Sequence, residues 1–233
     1  MKKILSIITI LTLFLTVNSQ AFASEEKGNE LILSNNEITS IKMSLSEYGV
    51  SEETQEDLIN KLKNNEKWDS LKGVKPVSTR TVLKNDIEEK VEIFQDGSIS
   101  VSAMDLSTAE VSDVITPYDL DPGNISSGSG YTNYRGARIY KNEIVLFAQF
   151  YADFTTVNQG MSYITRVYDG DVNGVGGTIS DVSLNVIQYK EDLNYPAEAK
   201  LSFIVSGWGG WGGGTCWLKL QVGNSHYSTP SYM

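Results

Sequence analysis

Two hydrophobic periods divide the chain. Across residues 34–72 the spacing is helical: Ile38, Ile41, Leu45 and Tyr48 fall at i, i+3, i+7 and i+10, which places them on one face. Ser34 and Glu37 stand ahead of that stripe at capping-box spacing, and Gly49 follows it as a C′ glycine. Ser51 opens a second helix, with Glu52 and Glu53 in a first turn that favours acids. Leu58, Ile59 and Leu62 supply its buried stripe. Lys61, Lys63 and Lys67 lie late in it, Asn64-Asn65 ends it, and Trp68 is expected to pack back. The pattern predicts a helix pair with a short turn.

From about residue 80 the period becomes two. Val91 and Ile93 alternate with polar neighbours, Asp96-Gly97 marks a turn, and Ile99 and Val101 alternate beyond it, which predicts a β-hairpin. Residues 117–136, with Pro117, Pro122, four glycines and a Ser-Gly-Ser-Gly run, read as a connector. Strands then follow regularly. Ala137 and Ile139 start one. Ile144, Leu146, Ala148, Phe150, Ala152 and Phe154 form one face of a long second strand, with Gln149 and Asp153 opposite. Tyr163 to Tyr168 is a third. Val182, Leu184 and Val186 line a fourth, Ala197 to Val205 a fifth, and Cys216, Leu218, Leu220 and Val222 a sixth. One wet and one buried face per strand is the mark of antiparallel sheets, and no helical period interrupts them. The expected fold is mainly β: an antiparallel β-sandwich preceded by a short helical pair and a β-hairpin.

The start of the chain carries an address. Lys2 and Lys3 precede an uncharged stretch from Ile4 to Gln20, and Ala21-Phe22-Ala23 gives the small-x-small pattern of a cleavage site. Residues 1–23 are read as a signal peptide, with an apolar run too short to span a bilayer. No later stretch reads as a transmembrane helix, and the lone cysteine, Cys216, lies far from any site of lipid attachment. A secreted, soluble protein is expected.

Charge separates the rest into two parts. Residues 24–115 hold 19 acidic and 10 basic residues, a balance of −9; residues 116–233 hold 10 and 7, a balance of −3. The first part, helical pair plus hairpin, is either a cap on the sheet or a pro-segment, and the second is the sandwich domain. With a net charge of −10, the chain is not expected to bind nucleic acid, which needs clustered Lys and Arg.

The stretch from Tyr48 to Leu62, then Trp68-Asp69-Ser70 and Asp96-Gly97-Ser98-Ile99-Ser100, resembles the start of small secreted proteins of Bacillus-type Gram-positive bacteria that have no assigned activity. The resemblance covers about residues 1–105. It implies the address and brings neither a reaction nor a catalytic residue.

Few side chains suit covalent or proton-transfer work. One Cys and one His exclude a disulfide framework and any site that needs two imidazoles. Cys216 and His226 are the only nucleophile–base pair, yet Cys216 alternates with Leu218, Leu220 and Val222 and should point into the core. Glu143, Asp153, Asp169 and Asp181 leave a carboxylate-dependent glycoside hydrolase open as an alternative, without a spacing that selects a pair.

Two motifs remain. Asp169-Gly170-Asp171-Val172-Asn173-Gly174 matches the first half of a calcium loop, with oxygen donors on Asp169, Asp171 and Asn173; the position-12 Glu is replaced by Ser180. A structural calcium is the only cofactor the sequence suggests, and Asp-Gly and Asn-Gly are equally the dipeptides of ordinary turns. The second motif is the glycine-rich loop carrying Trp208 and Trp211, with Trp217 on the strand after it. Indoles there could stack on sugar or sit at a membrane interface, or fold back over the end of the sandwich. The leading expectation is a non-enzymatic module contacting a cell-wall glycan or membrane surface through these tryptophans. The alternative beside the hydrolase is a membrane-active toxin or antimicrobial protein restrained by its N-terminal half.

Overall fold

The computed structural model describes residues 31–107, 109–112, 130–206 and 214–233. The signal-like segment, most of the connector and the loop with Trp208 and Trp211 lie outside the described residues.

Helix α1 spans Asn35–Glu47 and α2 spans Glu52–Lys63. Both start as the sequence predicts. Ser34 Oγ accepts from the Glu37 N–H at 3.2 Å, and the Ser34 N–H donates to Glu37 Oε2 at 2.7 Å, the reciprocal capping box. The Ser34 hydroxyl, donating to Glu37 Oε2 at 2.7 Å, and then the Ser34 N–H hold the Glu37 carboxyl below its ordinary range. Ser51 Oγ caps α2 through the Thr54 N–H. Both helices end in a Schellman motif. At α1, Gly49 takes φ +75° and the Val50 N–H reaches the Leu45 carbonyl at 3.1 Å; at α2, Asn65 takes φ +60° and the Glu66 N–H reaches the Lys61 carbonyl at 2.8 Å. A short 3₁₀ turn, Asp69–Leu71, follows. Before it Trp68 is fully buried, its indole N–H donating to the Leu58 carbonyl at 2.8 Å.

Strands β1 (Ser78–Lys84), β2 (Ile87–Ile93), β3 (Ile99–Asp105), β4 (Glu110–Ser112), β5 (Tyr131–Asn142), β6 (Leu146–Val157) and β7 (Tyr163–Gly174) form the first sheet, in the order β1-β2-β3-β5-β6-β7 with β4 on β5. Strands β8 (Thr178–Gln188), β9 (Ala197–Ser206), β10 (Gly214–Gly223), β11 (His226–Ser228) and β12 (Ser231–Tyr232) form the second, in the order β11-β10-β9-β8 with β12 on β10. Every pairing is antiparallel.

Side chains opposite one another across a rung share a face. The inner face of the second sheet is thus Ala197, Ala199, Leu201 and Phe203 set against Val222, Leu220, Leu218 and Cys216, all buried. It packs on Ala137, Ile139, Leu146, Ala148, Phe150, Ala152 and Phe154 of the first sheet in one continuous core. Each large side chain there contributes about 1.5–3 kcal/mol by leaving water. The outer face of the first sheet is covered over β2 and β3 by the helix pair: Ile41, Leu45, Leu58, Ile59, Leu62 and Trp68 join Val91, Ile99 and Val101. Two tyrosines lock this cap, with Tyr48 and Tyr140 hydroxyls donating to the two oxygens of buried Glu89 at 2.8 and 2.6 Å.

Four local readings change. Residues 131–136 belong to β5 rather than to a connector. Ile144 is not in β6; it takes φ +68° in the turn before it, where its N–H donates to Asn142 Oδ1 at 2.8 Å. Val182 is exposed because a bulge between Ser180 and Ser183, with Asp181 at φ +51°, resets the alternation of β8. The third strand runs past Tyr168 to Gly174 and takes in the calcium-like motif.

Candidate functional site

The three candidate tryptophans divide. Trp208 and Trp211 lie outside the described residues. Trp217 stands on β10, half-buried, on the outer face of the second sheet, because its neighbours Cys216 and Leu218 take the inner face. Tyr232 of β12 lies directly opposite it, and the two rings are near-parallel with centroids 6.5 Å apart. Lys219, the next outward residue of β10, holds its ammonium 5.1 Å from the centre of the indole. Tyr232 is 56% exposed.

The same register sets the rest of this face. Ser202 lies opposite Trp217, Lys200 opposite Lys219, and Glu198 opposite Gln221; on the far side Asn185 lies opposite Lys200 and Ser183 opposite Ser202. Glu198 bridges its neighbours, accepting from Lys219 Nζ and Gln221 Nε2, each at 2.8 Å. Burial would raise its carboxyl, but these two partners outweigh burial and hold it low, so it stays ionised. The result is an aromatic bench beside a row of hydrogen-bonding and cationic groups, which is what a sugar ring needs: a flat apolar surface for its C–H face and polar groups for its hydroxyls. Lys219, Gln221 and Trp217 are visible on one strand of sequence. Lys200 and Tyr232 are not, because only strand pairing brings them in.

Asp169, Asp171 and Asn173 are carried by β7 itself, not by a loop. A bulge opposite Gln149 and Tyr151 puts Asp169 at φ +51°. Gly170 is there for packing: a Cβ on it would lie 3.2 Å from both Leu184 and Leu201 of the facing sheet. Asp171 and Asn173 lie on the face opposite that core, joined by a 2.7 Å hydrogen bond. Among the described residues no group of three or more His, Cys, Asp or Glu side chains is placed to hold a metal ion.

The nucleophile–base pair is not assembled. Cys216 is only 6% exposed and faces the core, and burial pushes its thiol up to about 11. His226 pairs with Gly223 on the opposite face of that sheet, its ring bonded to the Asn224 carbonyl at 2.6 Å. Nor do Glu143 and Asp153 meet. Glu143 lies in the turn before β6 and Asp153 well inside it, at least roughly 20 Å away by strand rise. Asp153 instead binds the Gly136 N–H at 2.8 Å and Arg166 Nε at 2.5 Å.

No family model, curated protein or solved structure matches this chain. Among the described residues no helix is long and apolar enough to cross a membrane.

Proposed function

We propose that this chain is a secreted β-sandwich module that works by contact rather than turnover, holding a surface glycan against the outer face of its second sheet. The observation that carries the reading is the Trp217–Tyr232 pair with Lys219 on the indole, flanked by Ser202, Asn185, Gln221 and Lys200. Aromatic area left on a sheet face is costly unless something covers it, and this face offers hydrogen bonds as well. Trp208 and Trp211 precede Trp217 closely in sequence and are tested with it. Export is read from Lys2-Lys3, the apolar run and Ala21-Phe22-Ala23.

The test is retention of purified protein on Gram-positive cell walls. Wild type should be retained, Trp217→Ala should lose about 10-fold in affinity, as the loss of one stacked aromatic would, and Trp208→Ala with Trp211→Ala should weaken it further. Equal retention of wild type and Trp217→Ala would refute the bench as the contact surface.

A further inference from the structure

We infer that the glycan taken by this face carries an acidic group, a carboxylate or a phosphate on the sugar, received by Lys200 and Lys219 while the ring lies against Trp217 and Tyr232. The inference rests on the contact reading above and names the ligand class.

Strand pairing on this face carries an anomaly. Where two charged side chains stand directly opposite in the first sheet, they are of opposite sign, as in Asp105 with Arg138 and Asp153 with Arg166. Lys200 opposite Lys219 is the only like-charged rung among the described pairings. Like charges directly opposite destabilise a sheet; Lys219 is held by Glu198 and the Trp217 ring, and Lys200 has no such ion pair or ring contact among the described residues. The chain as a whole is strongly acidic, at −10, so the cationic rung is not a by-product of composition.

Local neutralisation is incomplete. Glu198 ion-pairs with Lys219 at 2.8 Å, and no carboxylate among the described residues is within ion-pairing distance of Lys200. Two ammonium groups therefore share one carboxylate, leaving one positive charge on this part of the face. Asn185 sits beside Lys200 on its other side and adds an amide. The lysine rung is two residues along the strand from the Trp217–Ser202 rung, roughly 7 Å. A hexose stacked at the indole can therefore present a substituent, or its neighbour's acid, to the lysines.

A discrete acidic sugar fits this better than the other anions. A nucleic acid presents dense phosphate and needs many cations, which an acidic chain with one cationic rung does not supply. An anionic bilayer gains about 1 kcal/mol per lysine, too little to hold so acidic a chain.

Titration calorimetry of the full chain at low ionic strength tests the inference. The probes are a galacturonic acid trisaccharide, its methyl ester, a neutral-sugar trisaccharide carrying one phosphate, and phosphatidylglycerol vesicles. The acid trisaccharide or the phosphorylated one should bind more tightly than the methyl ester, and whichever does identifies the source of the charge. Lys200→Gln should weaken that binding by about 3- to 5-fold, the size of one exposed charge interaction, and the binding of the methyl ester by less, with the melting temperature not lowered. The inference is overturned if the ester binds as tightly as the acid, if Lys200→Gln binds like wild type, if no probe binds, or if only vesicles bind. Trp217→Ala separates the two claims. It should weaken acid and ester alike; if it changes neither while Lys200→Gln weakens the acid, stacking on the bench is refuted and the acidic preference stands.

Discussion

Glu143 occupies the turn between β5 and β6, where it is 3% exposed. One carboxyl oxygen accepts from Ser100 Oγ at 3.0 Å and lies 3.6 Å from Lys141 Nζ; the other has no hydrogen-bond partner among the described residues. Burial raises its pKa, against the pull of Lys141 and Ser100. The consequence for stability has a definite sign. Between the unfolded value of 4.5 and the higher folded one, the native protein binds more protons than the unfolded chain, so this group's contribution falls as pH rises through that window. Glu143→Gln should therefore gain stability relative to wild type as pH increases above 4.5. Denaturant melts of both proteins across that range check it, and a pH-independent difference would be contrary to it. In the sequence Glu143 stands out only as one of four candidate carboxylates, with Asp153, Asp169 and Asp181, and no spacing selects it. Its burial is a tertiary fact, whereas the Cys216 orientation was legible because two-residue alternation alone decides it.

The elements legible in the sequence are those whose ends carry their own chemistry. Ser34, Glu37, Gly49 and Ser51 all do the capping work their positions predict. Asp96-Gly97 does more than turn a hairpin. Asp96 accepts from Lys61 Nζ at 2.9 Å, the Asp69 N–H at 3.0 Å and Ser98 Oγ at 2.6 Å, so it ties the end of α2 and the 3₁₀ turn to the β2–β3 hairpin. Burial would raise its carboxyl, and these donors more than offset that and hold it low. Gly97 has φ +81°, and a Cβ there would lie 2.3 Å from Thr54 Cγ2 of α2. Gly97→Ala should destabilise the fold by about 1–3 kcal/mol, from backbone strain plus the displaced helix. An unchanged melting temperature would show that this junction is slack. The first hairpin was missed although Asn85 and Asp86, at φ +51° and +65°, form its two-residue turn; β1 is an edge strand with little burial, so it lacks the alternation that reveals a strand. The calcium-like motif lies inside a strand, where its Asp and Gly serve a bulge and a close sheet–sheet approach.

At the scale of the molecule, the acidic first part and the sandwich share a sheet. β3 pairs directly with β5 over Val101 to Asp105, so the division at residues 115 and 116 runs between strands of one sheet. A fragment of residues 116–233 would bare the β5 edge and remove Glu89, the partner of the Tyr140 hydroxyl. It should be unfolded or aggregated by circular dichroism and gel filtration; a soluble monomer with native strand content would contradict this. Sequence patterns could not reveal the join, because local period fixes which face a residue takes but not which strand lies beside it.

The same limit hid the face proposed for glycan contact. Asn185, Lys200, Trp217 and Tyr232 come from four strands and meet only through register. Amide chemical shifts of the isotope-labelled protein, followed while soluble cell-wall fragments are added, test that face most directly. The shifts should concentrate on the outward residues of β8, β9 and β10, with Lys200, Ser202, Trp217 and Lys219 foremost. Shifts gathered instead on the helix pair, or no shifts at saturating fragment, would contradict it.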